Sequence, residues 1–401
     1  MVETALQLTP AHVLTVAQRL IRCESVTPAE GGALDYLEGL LTGAGFSCSR
    51  LVFSEPGTAD VDNLYARIGQ GSPHVCFAGH TDVVPPGELA AWTSQPFDAD
   101  VRDGLLYGRG AADMKGGVAA SVAAALAHLS KSGGRLPHGS ISFLITGDEE
   151  GPAINGTAKV LEWMREAGEQ PDYCLLPECT AEDATADTIK IGRRGSLSVK
   201  LTVRGRQGHV AYPQKALNPL PGLLAVLRAL TAEPLDGGTE HFQPSNLEIT
   251  SIDTGNTTTN LIPASAVARF NIRFNTLHTA ASLKAWIEHQ ARAALVGSDI
   301  TCAFEYENNA DCFVTQPGAW VQILVDAVEA ETGARPAMST AGGTSDARFI
   351  KDLCPVVEIG LRNATAHKVD EHVPIADLET LQRIFERFLE MAMRGSLQSP
   401  S

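Results

Sequence analysis

The sequence predicts a layered α/β domain interrupted by a smaller α+β domain, on three observations. Through residues 1–194, short apolar runs alternate with amphipathic or Ala-rich stretches, the rhythm of a largely parallel sheet covered by helices. Over 195–308 the runs instead alternate apolar and polar positions, as half-exposed strands of an antiparallel sheet do. The first rhythm returns over 309–401. A chain of 401 residues also exceeds one ordinary core, so two domains are expected on length alone.

Taken in order, a first helix is expected after Thr9-Pro10, a capping residue followed by a proline suited to the first helical position. "GALDYLEGLLTGAGF" reads as a second, amphipathic helix ending near Gly43 or Gly45. "NLYARIG" and "HVCFAGHTDVV" read as strands, the latter apolar enough to be covered on both faces. "GGVAASVAAALAHLSKS" is an Ala-rich helix, "SISFLITG" a buried strand, "TAKVLEWMREAG" a helix and "YCLLPE" a strand. In the insert, "SLSVKLTVRG", "SNLEITSIDTG" and "SAVARFNIRFN" are alternating strands, with helices at "PLPGLLAVLRALTA" and "TAASLKAWIEHQARAALVG". "AWVQILVDAVEAETG" and "CPVVEIG" resume the helix and strand pattern.

Composition narrows the function. A formal charge of −16 offers no basic stripe for phosphates, which argues against nucleic acid. Hydrophobic content of 44% with 19% charged residues is that of a soluble globular protein. The eight cysteines (23, 48, 76, 174, 179, 302, 312 and 354) contain no CxxC pair. They read as free thiols of a cytoplasmic protein rather than a zinc ribbon or a disulfide framework. The first residues show no secretory pattern, and no run reaches the ~18 apolar residues of a membrane span.

The chemistry is carried by acids and histidines at strand ends. In "FAGHTDVVP", His80 and Asp82 stand two apart at the C-terminal end of a strand and share a face. A lone histidine there is usually structural. With an aspartate two residues on, it reads as a metal ligand whose ring is oriented by Asp82. Asp113 in "LYGRGAADMKGG" could be a helix N-cap or a ligand just before the Ala-rich helix. "ISFLITGDEEGP" ends an apolar strand on Asp148, Glu149 and Glu150. Buried neighbouring carboxylates repel unless a cation accepts one of them, so Glu150 is assigned to the metal and Glu149 to general base. "YCLLPECT" puts Glu178 at another strand end, and "NATAHKVDEHVP" supplies His367 and His372. Two histidines and three carboxylates suit two zinc ions sharing a bridging aspartate. An acidic solvent loop and surface histidines are the plain alternatives for each of these residues taken alone.

These residues in this order resemble the di-zinc aminoacylase/carboxypeptidase superfamily of metallopeptidases. The matching segments span nearly the whole chain: "GHTDVVP", "WTSQPFDADVRDGLLYGRGAADMKGG", "ITGDEEGPAINGT", "RRGSLSVKLTVRGRQGHVAYPQKALNP", "NLIPASAVARFNIRF", "GGTSDARFI" and "NATAHKVDEHV". "RRGS", "GHVAYP" and "GGTSDARF" point more narrowly to its desuccinylase branch. The resemblance implies a three-layer, zinc-peptidase-like catalytic domain in two parts, 1–194 and 309–401, interrupted by an α+β lid and dimerisation domain at 195–308. It implies that Asp113 bridges two zinc ions, with His80 and Glu178 on one and Glu150 and His367 on the other, and that cobalt can replace zinc at one site. Glu149 is then the general base. His209 is the histidine that reaches into the partner's active site in a homodimer. Arg193, Ser196, Tyr212, Asn260, Arg273, Gly343, Thr344 and Asn363 are implied to contact a small anionic substrate. The implied reaction is hydrolysis of a succinyl amide in diamino-acid biosynthesis. The rivals are a sister deacylase acting on acetylornithine or another acylated amino acid, and a non-catalytic zinc-stabilised binding protein. "PECT" around Glu178 departs from the family's usual "GEPT" or "GEPS", and no role carries over to His372.

Overall fold

The strands that read as continuous apolar runs lie where both faces are covered. Every residue of His74–His80 and of Gly139–Thr146 is buried, as two-sided coverage of a sheet requires. The computed structural model describes residues 12–394, the side chains of residues 308 and 309 excepted. These residues form two compact units: one runs to Ile191 and resumes at Thr315–Ser339 and from Ser345, and the other comprises Gly192–Val314 with Thr340–Thr344. The second unit thus starts before residue 195, ends after 308 and takes in a short strap from the C-terminal third.

The first unit is built on an eight-stranded sheet in the order Ser47–Phe53, Val61–Gln70, Gly139–Thr146, His74–His80, Tyr173–Leu176, Val356–Glu358, Thr188–Lys190, Ala337–Ser339. Its centre is parallel, Gly139–Thr146 and Tyr173–Leu176 flanking His74–His80 and Val356–Glu358 following. The expected largely parallel sheet is in fact mixed: Ser47–Phe53 and Val61–Gln70 are antiparallel, as are Val61–Gln70 and Gly139–Thr146, and Glu358 and Lys190. Residues 54–60 are too few to carry a crossover, so the first pair closes as a hairpin. Lys115–Lys131 packs against Val13–Ile21 and Ile375–Ala392, while Thr157–Ala167 packs on Gly139–Thr146. Phe77 stacks on Phe143 at 5.6 Å and meets the edge of Phe385 at 5.5 Å, tying sheet to helix. Thr9 and Pro10 lie outside the described residues. The first described helix is Val13–Ile21, where the His12 ring accepts the Leu14 N–H at 3.3 Å.

The second unit has a four-stranded antiparallel sheet in the order Asn246–Asp253, Ser265–Phe274, Gly195–Arg204, Thr301–Ala310. Leu197, Val199, Leu201 and Val203 alternate along one strand and pack with Phe270, Ile272 and Phe274 against helices Pro219–Leu230 and Ala280–Ala294. Both helices start on side-chain caps. The Asn218 side chain accepts the Leu220 N–H ahead of Pro219, and Thr279 and Ser282 form a reciprocal box. Among the described residues, no helix is long and apolar enough to cross a membrane.

Candidate metal centre

The three parallel strands at the centre of the first unit end side by side. His80 closes His74–His80, Glu149 and Glu150 follow Gly139–Thr146, and Glu178 follows Tyr173–Leu176. Carboxyl ends of neighbouring parallel strands open at one edge, where α/β sheets bind ligands. Asp113 stands just before Lys115–Lys131, and its carboxylate does not cap that helix, whose N-cap is Met114. His367 comes from the loop before His372–Pro374.

Asp113 presents one oxygen to each histidine: Oδ1 lies 3.4 Å from His80 Nε2 and Oδ2 lies 3.2 Å from His367 Nε2. Ligands held tetrahedrally at about 2.0–2.1 Å from zinc stand roughly 3.3 Å apart, so both spacings suit a carboxylate shared by two cations. Glu178 Oε1 lies 3.9 Å from His80 Nε2, and Glu150 Oε1 lies 2.7 Å from His367 Nε2. His80, Asp113 and Glu178 form one potential ligand set, and Asp113, Glu150 and His367 another. Glu149 points its Oε2 to within 3.9 Å of His80 Nε2. With His80 and Glu150 it makes a third potential set, so its carboxylate borders both of the others.

Three consecutive acids are tolerated because each has different surroundings. Asp148 turns inward, where Oδ2 accepts the Ile154 and Asn155 N–H groups at 2.9 and 3.1 Å. The buried Asp82 carboxylate accepts the main-chain N–H groups of Glu149 and Glu150 at 3.2 and 3.0 Å. The expectation that Asp82 orients His80 through its carboxylate therefore needs correcting. His80 Nδ1 donates to the Asp82 carbonyl oxygen at 2.9 Å, with the carboxylate farther off at 3.6 Å. The carboxylate is occupied by the acidic turn.

Electrostatics mark the site. Burial pushes the Glu149 carboxyl up to about 8, despite His80, with the charges of Asp346, Glu150 and Asp113 adding to the rise. Burial likewise raises Glu178, with Asp113 the next contributor. Burial would raise Asp113 too, yet hydrogen bonds from His367 and His80 hold it below the usual carboxylate range. Asp113 and Glu150 hold the His367 ring proton up to about 10. Crowded buried carboxylates facing two histidines are a donor set that divalent cations neutralise, and the residues fit two such ions.

Close backbone packing supports Glu178. A Cβ on Gly117 would lie 1.9 Å from the Pro177 carbonyl oxygen, and one on Gly360 would lie 2.2 Å from that of Glu178. His372 takes no part in the ligand sets: its Nδ1 donates to the Asp370 carbonyl at 2.7 Å, and its main chain is tied to the Thr365 hydroxyl. Lys115, a residue the sequence did not single out, is fully buried and donates to the Cys23 carbonyl at 2.8 Å. Burial lowers its pKa to about 8. Asn363, exposed in the first unit, donates its N–H to the Ala181 carbonyl at 3.0 Å.

The remaining residues singled out in the sequence form two groups within the second unit. His209, Tyr212 and Asn260 come together where Gly208–His209 pairs with Leu261–Ile262. The Asn260 carbonyl accepts the Val210 N–H at 3.1 Å, and the rings of His209 and Tyr212 lie 5.8 Å apart. Arg193, Ser196 and Arg273 gather at one end of the sheet, Ser196 directly opposite Arg273. Arg193 Nη1 donates to the Ala341 carbonyl at 3.3 Å, which fastens the strap carrying Gly343 and Thr344. Burial and the neighbouring Arg194 lower the Arg273 pKa.

An α/β domain that gathers these ligand sets beside its strand ends defines a hydrolase of the metallopeptidase type, and the chain belongs to peptidase family M20/M25/M40, whose model matches residues 76–391. It is 58% identical over 382 residues to the succinyl-diaminopimelate desuccinylase of Rhodopseudomonas palustris (strain BisB18), covering 94% of this chain and 97% of that protein. Its fold resembles that of aminopeptidase PepT from Bacillus cereus, with TM-score 0.75 and 20% identity over 95% of this chain and 99% of that one. It also resembles the YXEP protein of Bacillus subtilis, described as a dinuclear metal-binding peptidase of the M20 family. That match has TM-score 0.70 and 15% identity over 96% of this chain and 98% of that one.

Proposed function

We propose that the protein hydrolyses N-succinyl-LL-2,6-diaminopimelate to succinate and LL-2,6-diaminopimelate, a step of lysine and diaminopimelate biosynthesis in the cytoplasm. One observation carries the reading: a raised carboxyl, Glu149, stands beside a two-histidine, three-carboxylate ligand set in a chain 58% identical to a succinyl-diaminopimelate desuccinylase. Two zinc ions, one replaceable by cobalt, would be held by His80, Asp113 and Glu178 and by Asp113, Glu150 and His367. Bound there, they would polarise the amide carbonyl and make water acidic enough to lose a proton near neutral pH.

The chain's own residues do the rest. Glu149 takes a proton from the attacking water as its oxygen adds to the succinyl carbonyl carbon, and delivers that proton to the leaving amine as the C–N bond breaks. Asp82 keeps Glu149 aimed by gripping its main-chain N–H. His209 donates to the oxyanion, reaching in from the partner of a homodimer in which the second unit serves as lid and dimerisation domain. Arg193, Ser196, Tyr212, Asn260, Arg273, Gly343, Thr344 and Asn363 hold the substrate. A guanidinium whose charge is disfavoured by burial and a neighbouring arginine, as at Arg273, is relieved by a substrate carboxylate, which Arg binds bidentately.

The test compares hydrolysis of N-succinyl-LL-diaminopimelate and N-acetylornithine by zinc-loaded and chelator-stripped protein. Preference for the succinyl substrate, lost on stripping and restored by zinc, is expected. Turnover of acetylornithine alone would overturn the substrate, and hydrolysis of neither would overturn the enzyme.

A further inference from the structure

The ligands differ in how they are supported. His80 and Glu178 stand at the ends of central strands, whereas Asp113 and His367 stand on irregular backbone. His367 is the most exposed ligand, with 48% of its side chain accessible, and takes a left-handed backbone conformation at φ 61°, which a non-glycine residue adopts only when its surroundings impose it.

Those surroundings are a buried ion pair that contributes no atom to either ligand set. Arg109 and Glu371 are 2% and 0% exposed, with Nη1 and Oε2 2.6 Å apart. Glu371 grips the segment leading into Asp113: Oε2 accepts the Gly110 N–H at 3.1 Å, and Oε1 accepts those of Ala112 and Asp113 at 2.8 and 3.1 Å. Arg109 grips the other loop, Nη1 donating to the Lys368 carbonyl at 3.2 Å and Nη2 to that of His367 at 3.4 Å. The pair therefore joins the main chain of two ligands whose side chains face each other at 3.2 Å. A buried ion pair is on its own a weak source of stability, since desolvation offsets much of its attraction. Its hydrogen bonds here go to the main chain of two ligand loops.

We propose that Arg109 and Glu371 are positioning residues that hold Asp113 and His367 in register, and so set the affinity of the Asp113–Glu150–His367 cation site selectively. The proposal rests on the two-cation reading of the centre. Supporting hydrogen bonds to metal ligands are typically worth roughly 10–100-fold in affinity, and the effect should fall on this site because the other draws two of its three ligands from strand ends.

The test is zinc titration of the full chain against a competing chelator, comparing wild type with Arg109→Lys and Glu371→Gln. Unfolding in excess chelator shows which variants are folded. Arg109→Lys keeps the buried charge and loses the fork to the carbonyls. Wild type should bind two zinc ions. Each variant should keep one affinity and lose roughly 10–100-fold at the other, with turnover recovered as zinc is raised. If a single variant fails to fold, the double apolar variant Arg109→Met/Glu371→Met removes the unpaired charge and should show the same selective loss. Folded variants that keep both affinities, or lose both alike, would overturn the proposal. A wild type that binds fewer than two zinc ions would overturn the two-cation reading itself.

Discussion

The Asp82 carboxylate holds the Glu149 main chain, Oδ1 accepting its N–H at 3.2 Å while Oδ2 accepts that of Glu150 at 3.0 Å. Glu149, the proposed base, and Glu150, the proposed ligand next to it, thus hang from one buried side chain. In Asp82→Asn one of those oxygens becomes an amide that can only donate, so one grip is lost. Turnover should fall roughly 10–100-fold, read as kcat at saturating zinc. An unchanged kcat would remove Asp82 from the positioning of the base.

Glu149→Gln keeps the shape of the base and removes its proton chemistry. Turnover should drop by about 10²–10⁴-fold while the protein still binds two zinc ions. Near wild-type turnover would reassign the base.

Cation affinity should depend on pH through His367. Asp113 and Glu150 hold its ring proton up to about 10, so below that pH a cation must displace the proton. Zinc binding at this site should tighten as pH rises from 6 to 9, by about tenfold per pH unit for each proton displaced. Calorimetry in buffers of different ionisation enthalpy counts the protons released. A pH-independent affinity would contradict the assignment.

His74 predicts acid sensitivity away from the centre. Its buried ring faces the Ser142 hydroxyl at 2.8 Å, and burial, aided by Arg67, lowers its pKa to about 4. The folded ring stays neutral down to that pH, whereas the unfolded ring takes a proton below about 6.5. Stability present at pH 7 is therefore lost as pH falls from 6.5 towards 4, by up to about 3 kcal/mol. Denaturant unfolding should show a shallower loss over this window for His74→Asn than for wild type.

Gly117→Ala should destabilise the fold by about 1–3 kcal/mol, because the new Cβ would press the Pro177 carbonyl at 1.9 Å. Pro177 precedes Glu178, so zinc at the His80 site should weaken as well. Thermal unfolding and chelator competition read the two effects separately.

Much of the centre was legible because its chemistry sits at strand ends. His80, Glu149, Glu150 and Glu178 each follow a run apolar enough to be a covered strand, and parallel neighbours bring such ends together. His367 lies in a loop, and only the family resemblance distinguished it from His372. Arg109 and Glu371 left no local signal: each is a charge in a polar loop, and their pairing spans 262 residues of chain. Sheet order was hidden for a related reason. Ser47–Phe53 carries neither an apolar run nor clean alternation, being partly exposed along its length, so the antiparallel edge went unread. Ile375–Ala392 also went unread, although Leu378, Leu381, Phe385 and Phe388 recur at helical spacing and are buried. The strap 340–344 could not be assigned from sequence, since the contacts that fasten it, Arg193 to the Ala341 carbonyl and the Thr340 hydroxyl to the His241 carbonyl, reach a unit whose main segment ends at Val314.

That strap bears on how the protein could be re-engineered. A chimera that exchanged only 192–314 with a relative of different specificity would import an arginine and leave behind the turn it fastens. Gly342 has φ 108°, and a Cβ there would lie 2.5 Å from Arg193 Nη1, so turn and arginine are matched in shape. A transplant that keeps them matched must move two separate stretches of gene, the long one and the five codons for Thr340–Thr344.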